Sequence, residues 1–480
     1  MNRRHFLRLT GAAIAASAGL NACAPPRVRT RSDGRPLANA TRRADQPIRV
    51  ACIGVGGRGL ESMNEMLAEC VGGARPEFIV IAAVCDVDEL ALERAAMTHS
   101  TARSFRDYRQ LFREIHDGSI EVDAVMVSTP DHTHALATAL ALTAGLPVYC
   151  EKPLTHTIAQ ARAIAQLAQR SQVPTQMGNQ IHAGDNYRTV VELIRSGAIG
   201  TVTSADGWDG RAWCCGALTP GARAPETLDW NLWQGPVAAT NYIEGITPAN
   251  WRGYWNYGNG TLGDMACHIL DLPFWALDLS AHENLVAEVH ASGPPVDAVG
   301  CPAWTEISWA MKSARSVPGS DPLVFRWFDG GKISPTAQEL SAKDGQEYVK
   351  RFNMLIQGSK GFLFSNYGEY VILPRALGAE IQRPSPTLSR PSGHHREWID
   401  AVRLWTMDAP DACAMTSSNF AYAARLTELV LSGATAFRAQ TPVTYDFDRG
   451  LFVGAGTSEA MPFLSEPARD GWQLPALRNG

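Results

Sequence analysis

Residues 48–59, Ile48-Arg49-Val50-Ala51-Cys52-Ile53-Gly54-Val55-Gly56-Gly57-Arg58-Gly59, run from a β-branched apolar stretch into a turn with glycines at 54, 56 and 59. No other segment restricts the fold as much. A strand that ends in such a turn and opens a helix presents free backbone N–H groups at a helix N-terminus, which suits a phosphate. Gly54 lets the chain turn tightly, Gly56 lets a pyrophosphate approach the backbone, and Gly59 lets helix close on strand. Gly57 and Arg58 share the turn, and Arg58 can lie along the phosphates or the adenine. Asp86, at the end of the next apolar strand, can accept from ribose hydroxyls and would repel a 2′-phosphate. It therefore favours NAD over NADP, while Arg58 keeps NADP open. The alternative for Asp86 is a cap on the following helix.

The alternation continues downstream. Apolar runs at Phe78–Cys85, Val122–Ser128 and Pro147–Cys150 predict strands buried on both faces. Helices are predicted around Gly59–Cys70, Leu90–Met97, Asp107–His116 and Thr133–Thr143. Such βαβ units with right-handed crossovers give an α/β Rossmann domain with a doubly wound parallel sheet, here over residues 48–178. Beyond it tryptophan and glycine become frequent, and Leu323–Phe328 reads as a strand with one exposed face. Late helices are predicted at His395–Leu404 and Ser418–Ser432. Residues 179–447 thus form an α+β domain with an open, mainly antiparallel sheet for substrate and oligomerisation, and 448–480 form a tail. An uncovered sheet face favours a homo-oligomer, a dimer or tetramer.

At the N-terminus, Asn2-Arg3-Arg4-His5-Phe6-Leu7-Arg8 places an arginine pair before the apolar run Leu9–Leu20. That is the layout of a twin-arginine export signal, too short and too rich in Ala and Gly to span a bilayer stably. Leu20-Asn21-Ala22-Cys23 reads as a lipobox that would anchor Cys23 to a membrane; cleavage after Ala18 is the alternative. Residues 1–23 are the signal and 24–47 a linker or arm. The protein is expected in the periplasm, with no membrane contact beyond that possible anchor.

Composition excludes other classes. With a formal net charge of −5 and no basic stripe, nucleic acid is not a partner. Of the 10 cysteines, Cys52, Cys85 and Cys150 fall on buried strands as small hydrophobes. The adjacent Cys214 and Cys215 lack further ligands at metal spacing, so no metal is expected.

Two segments carry chemistry. Val148-Tyr149-Cys150-Glu151-Lys152-Pro153 ends a strand, and a lysine at the carboxyl end of a parallel strand points into the ligand crevice. In Gly260-Thr261-Leu262-Gly263-Asp264-Met265-Ala266-Cys267-His268, the spacing puts Asp264 and His268 on one helix face, where the acid can fix the imidazole tautomer. An imidazole of near-neutral pKa suits proton transfer, and a lysine can stabilise a developing alkoxide.

Together with Thr129-Pro130-Asp131-His132-Thr133-His134, these segments resemble the Gfo/Idh/MocA family, the glucose–fructose oxidoreductase and inositol dehydrogenase relatives. Met177-Gly178-Asn179-Gln180, Leu228-Asp229-Trp230-Asn231-Leu232-Trp233, Trp251-Arg252-Gly253-Tyr254-Trp255 and Trp327-Phe328-Asp329-Gly330-Gly331 look like its exported, Bacteroidetes-type branch. The resemblance implies that Lys152 contacts nicotinamide ribose and substrate, His268 acts as general base or acid, and Asp264 orients the substrate or His268. It further places Thr129, Pro130, His134 and Glu151 along the nucleotide, and Asn179 and Gln180 near the nicotinamide. His182, Trp251, Arg252, His394 and His395 are candidates for a sugar pocket, while His116 and His156 read as solvated.

The activity implied is an NAD(P)-dependent oxidation of a sugar or cyclitol hydroxyl. Outside the cytoplasm no free NAD is expected, so the cofactor would be tightly bound and recycled. An NAD-dependent glycosidase working by transient oxidation and elimination is the alternative, and a non-catalytic cofactor-retaining sugar-binding protein is a second.

Overall fold

The computed structural model describes residues 46–71, 79–214, 221–409 and 411–475. The export signal, Cys23, the arm up to residue 45 and Cys215 lie outside them. The first domain runs β1 (Ile48–Ile53), α1 (Gly57–Val71), β2 (Ile79–Cys85), α2 (Glu89–Thr98), β3 (Arg103–Phe105), α3 (Tyr108–Asp117), β4 (Ala124–Val127), α4 (Asp131–Thr143), β5 (Val148–Cys150), α5 (Ile158–Ser171) and β6 (Thr175–Met177). Its sheet has the order β3-β2-β1-β4-β5-β6 with every pair parallel.

Alternate residues of β1 explain why that strand reads as continuously apolar. Val50 and Cys52 pack on one side with Met63 and Met66 of α1. Ala51 and Ile53 pack on the other with Leu136 and Val148. Both faces are therefore covered. The strand order reverses between β1 and β4, and a crevice at that point is where α/β sheets bind ligands.

The second domain contains α6 (Asp185–Arg195), β7 (Val202–Trp208), α7 (Gly260–Ile269), α8 (Asp271–Ala276), β8 (Val286–Ser292), β9 (Glu306–Lys312), β10 (Leu323–Phe328), β11 (Met354–Gly358), β12 (Phe362–Ser365), β13 (Tyr370–Leu373), α9 (His394–Thr406), α10 (Phe420–Ala439), β14 (Val443–Asp446) and β15 (Leu451–Val453). Nine strands form one sheet, β13-β12-β11-β7-β10-β9-β8-β14-β15. All pairs are antiparallel except β7 with β10. In β8, Ala287 and Val289 point inward while Glu288 and His290 are exposed, the alternation of a sheet wet on one side. On the covered side α10 lies against β9, where Trp309 Nε1 donates to Ser432 Oγ at 3.0 Å.

Two late segments return to the first domain. Trp398, Ile399 and Val402 of α9 share a core with Met63 and Met66 of α1. Further on, Trp472 packs edge-on against Tyr108 at 5.9 Å, with the Arg109 guanidinium 3.8 Å from its ring centre. All eight cysteines among the described residues are free, and Cys52, Cys85 and Cys150 are buried.

Candidate functional site

A cavity of about 940 Å³ follows the carboxyl ends of the parallel strands and continues to α7. Its floor is the glycine turn. Gly54 has φ +81°, its N–H donates to Cys85 O at 2.8 Å, and an added Cβ would lie 2.6 Å from Ser128 O. At Gly59 an added Cβ would collide with the Gly54 carbonyl. Around Gly57 a Cβ would meet nothing within 4 Å, because that side is open cavity.

Asp86 lines the cavity, yet its carboxylate splints the turn itself. Oδ2 accepts from Val55 N at 2.8 Å and Gly56 N at 3.2 Å, and Oδ1 accepts from Asp88 N at 3.0 Å. Burial raises its pKa against the pull of these N–H groups. The cap on α2 is supplied by Asp88, which accepts from Leu90 N. Arg58 reaches across the lip to Glu65 at 2.7 Å and toward Glu151 at 3.4 Å.

Of the other residues predicted for the nucleotide, Thr129, Pro130, Glu151 and Gln180 line the cavity. Glu151 Oε1 accepts from Ser62 Oγ at 2.8 Å and Gln180 Nε2 at 2.7 Å. His134 stands behind the wall. Its Nδ1 faces Pro153 O at 2.8 Å and its Nε2 faces Thr129 O at 2.7 Å, so it braces the Thr129 turn instead of lining it. Serving two carbonyls requires N–H at both nitrogens. Burial opposes that charge, but Cys150, Asp131 and the Pro153 carbonyl outweigh it, and the pKa rises to about 9. Asn179 is also behind the wall, fully buried, with Oδ1 accepting from Ser418 Oγ at 2.7 Å.

The substrate end centres on Asp264. Its Oδ1 accepts from Lys152 Nζ at 2.6 Å and Arg252 Nε at 3.1 Å, while Oδ2 accepts from Trp213 Nε1 at 2.7 Å. Lys152 also donates to the Asp264 carbonyl at 2.8 Å. Burial works to raise the Asp264 pKa, but Lys152 and Arg252 hold it well below the usual carboxylate range. The one-face spacing suggests that Asp264 fixes His268; in the structure it serves Lys152 instead. Ammonium and guanidinium groups are the stronger partners for a buried carboxylate.

His268 lines the same cavity, and its Nδ1 is buried with no hydrogen-bond partner among the described residues. Burial first, then the Lys152 charge, push its pKa down to about 3, far below the near-neutral value expected for an acid–base group. The ring is a neutral imidazole.

Trp251 and Arg252 line the cavity, with the guanidinium 4.3 Å from the Trp251 ring centre. The remaining pocket candidates lie elsewhere. His182 is buried, bonded through Nδ1 to Asp271 at 2.8 Å and stacked on Trp275 at 3.7 Å. His394 faces Met177 O at 2.8 Å, and His395 stacks on Tyr149 at 4.8 Å. His156, predicted solvated, is buried and paired with Glu466 at 3.3 Å. In each case the ring found a hydrogen-bond, ion-pair or stacking partner that spacing in the sequence did not reveal.

Sequence reasoning did not single out Arg211, Trp213 and Tyr367 at the substrate end. It also missed a strap. Residues 225–235 cross from the second domain onto the first: Glu89 N donates to Thr227 O at 2.9 Å and Asp229 N to Val87 O at 3.0 Å. Trp233 of this strap stacks on Trp230 at 4.8 Å and packs against His132 and Tyr257. Thr227, Leu228, Leu232 and Trp233 line the same cavity as Asp86. Arg469 binds the strap from behind through Gly235 O and Asn231.

The residues present fit a dinucleotide. The open space at Gly57 would be filled by any side chain, and Ser128 Oγ, Thr129 Oγ1 and Glu151 Oε2 at the cavity wall are buried without partners among the described residues. Buried polar groups left so are costly unless a ligand supplies the bond.

Residues 48–179 match the family model described as an oxidoreductase family with an NAD-binding Rossmann fold, and residues 186–317 match that described as its C-terminal α/β domain. Curated relatives include an α-N-acetylgalactosaminidase of Shewanella oneidensis, 26% identical over 210 residues, 42% of this chain and 44% of the relative. An inositol 2-dehydrogenase of Leifsonia xyli is 32% identical over 151 residues, 31% of this chain and 41% of the relative. The chain thus matches under half the length of either. Among solved structures, an inositol dehydrogenase homologue of Azotobacter vinelandii, complexed with NADH and myo-inositol, superposes with a TM-score of 0.54 at 16% identity, covering 85% of this chain and 100% of that one. A levoglucosan dehydrogenase complexed with NADH and levoglucosan gives 0.52 at 17% identity, covering 84% and 100%. These two likenesses establish the fold.

Proposed function

The chain belongs to the Gfo/Idh/MocA family of NAD-binding oxidoreductases, and on that premise we propose that it moves a hydride at a hydroxyl-bearing carbon of a sugar or cyclitol while retaining its nucleotide. The observation that carries this reading is one continuous cavity joining the Gly54–Gly59 turn to Lys152, Asp264 and His268. NAD, when bound, supplies the hydride acceptor. The chain's own residues handle the proton and the oxygen. The carboxylate and carbonyl of Asp264, itself held by Arg252, fix the Lys152 ammonium, which keeps an N–H free for a substrate oxygen and stabilises the alkoxide as it forms. His268, neutral and with Nδ1 unpartnered among the described residues, accepts the hydroxyl proton and returns it in the reverse direction.

Retention draws support from the strap and from the leader. The strap lines the cavity, is bonded to Val87 and Glu89 just after Asp86, and is itself braced by Arg469. The arginine-pair leader directs the protein to the periplasm, where a released nucleotide could not be replaced. Freshly purified protein, denatured without added cofactor, should release close to one NAD(H) per chain; an empty protein would remove the case for recycling.

A second reading is favoured by the similarity to the galactosaminidase. Oxidation of a ring hydroxyl acidifies the neighbouring carbon, elimination cleaves the glycosidic bond, water adds, and the hydride returns. Incubation with nitrophenyl glycosides and free sugars in deuterated water separates the two. Oxidised sugar supports net dehydrogenation. Aglycone release with deuterium beside the transient ketone supports net hydrolysis, and neither product defeats both.

A further inference from the structure

The substrate end holds more cationic donors than the protein itself satisfies. Lys152, Arg211 and Arg252 all line the cavity beside His268. Their common partner, Asp264, has both oxygens engaged by protein donors, including Trp213 Nε1. Arg252 spends Nε on Asp264 and holds a long bond from Nη1 to Ala249 O at 3.5 Å, leaving Nη2 without a partner among the described residues. Arg211 is freer still. Its guanidinium touches the Met265 sulfur and approaches carboxylates only at 3.7 Å, Asp209, and 3.9 Å, Asp264. The Arg211 side chain is 51% exposed at the cavity mouth.

The acids nearby do not cancel this. Asp209 is not part of the cavity wall, and its Oδ1 accepts from the Arg211 backbone N–H at 2.9 Å. Asp131 also lines the wall, where burial raises its pKa against the pull of His134, Arg252 and Lys152, and even with Asp264 it sets only two carboxyl groups against three cationic side chains. A ligand entering here meets two planar guanidinium groups and one ammonium. A neutral polyol would leave that fork geometry half used, because its hydroxyls are weak, non-bidentate acceptors. An oxyanion matches it.

From this arrangement we infer that the substrate is an anionic monosaccharide unit whose oxyanion is held by Arg211 and Arg252, while Lys152 and His268 address its reacting hydroxyl. The carboxylate of a uronate and the phosphate of a sugar phosphate share the required chemistry. The inference rests on the proposed sugar-directed reaction and narrows it to acidic sugars.

The test is equilibrium binding to the full-length protein with its own nucleotide, followed by the fluorescence of Trp213 and Trp251 beside the site. Glucuronate, galacturonate and glucose 6-phosphate are compared with glucose and galactose. At least one anionic sugar should bind about 10-fold or more tightly than its neutral counterpart, as expected for one charge-assisted bidentate contact, and the preference should shrink as salt is raised. Which anion wins assigns carboxylate or phosphate. Arg211→Gln should cut the anion-to-neutral ratio by roughly 10-fold, and Arg211→Lys should restore part of it. Neutral sugars binding as well as the acids, or a ratio unchanged in Arg211→Gln, would overturn the inference while leaving the sugar-directed reaction standing. Binding of neither class would overturn both.

Discussion

The two ends of the cavity are built in opposite ways. At the nucleotide end a single strand, turn and helix, residues 48–71, supply the glycine turn that floors the cavity. The substrate end is assembled from distant parts: Lys152 and Asp264, its bonded partner, stand 112 positions apart, and Arg252 and Trp213 come from two further segments. The first end depends on backbone geometry that only glycine allows, because a Cβ at Gly54 would meet Ser128 O and one at Gly59 the Gly54 carbonyl. Charge pairing around one buried carboxylate holds the second. Substitutions should therefore fail differently at each end, through backbone geometry at one and through loss of a donor at the other.

The largest effect is expected at the turn. Gly54→Ala forces a Cβ to within 2.6 Å of Ser128 O at φ +81°. Strain plus overpacking should cost roughly 2–4 kcal/mol of stability and abolish co-purified nucleotide. Chemical denaturation and the absorbance of bound nucleotide read both. A stable, fully loaded variant would break the claim that backbone geometry rules this end.

Lys152→Met is the counterpart at the other end. It removes one donor to the reacting oxygen, so turnover should fall by about 10²–10³-fold. Asp264 keeps Arg252 and Trp213 as partners, so the fold and the nucleotide should survive. If the nucleotide is lost as well, the two ends are not separable. A smaller change is expected from Arg469→Ala, which releases Gly235 O and Asn231 of the strap. Bound nucleotide should then escape faster, by roughly 10-fold if about 1.4 kcal/mol of bracing is lost, as followed by repeated gel filtration. Unchanged retention would mean that the strap does not hold the cofactor.

This contrast also explains what could be read without coordinates. The turn, the parallel strands and Lys152 at the end of β5 depend on residues close in sequence, and periodicity exposes them. The cavity roles of Thr129, Glu151 and Gln180 followed from the family resemblance. Histidine positions were misjudged because a ring has two polar atoms and the sequence does not say which neighbours claim them. His134 went to two carbonyls and His182 to Asp271 and Trp275. Arg211 and the strap were missed for another reason. An isolated arginine and an aromatic loop have no period, and only the packing of the second domain on the first gives them a place at the wall.

Two histidines carry the same contrast into pH dependence, with opposite signs and the smallest expected effect. His134, bracing the nucleotide end, has its pKa raised to about 9. Between its unfolded value near 6.5 and about 9 the folded chain binds the extra proton, so this contribution is complete below about pH 6.5 and is lost as pH rises toward 9. His268, at the substrate end, has its pKa lowered to about 3. There the unfolded chain binds the extra proton below about pH 6.5, so this contribution is lost as pH falls from 6.5 toward 3. Melting temperature should therefore peak near neutrality. His134→Gln should flatten the alkaline limb and His268→Gln the acid limb, with His132, also pushed down to about 3, keeping part of the acid limb in the second variant. Turnover should show no inflection near pH 6.5, because His268 stays neutral well below it. An inflection there that disappears in His268→Gln would show that the ring titrates as an ordinary imidazole, and the electrostatic distinction between the two ends would fall.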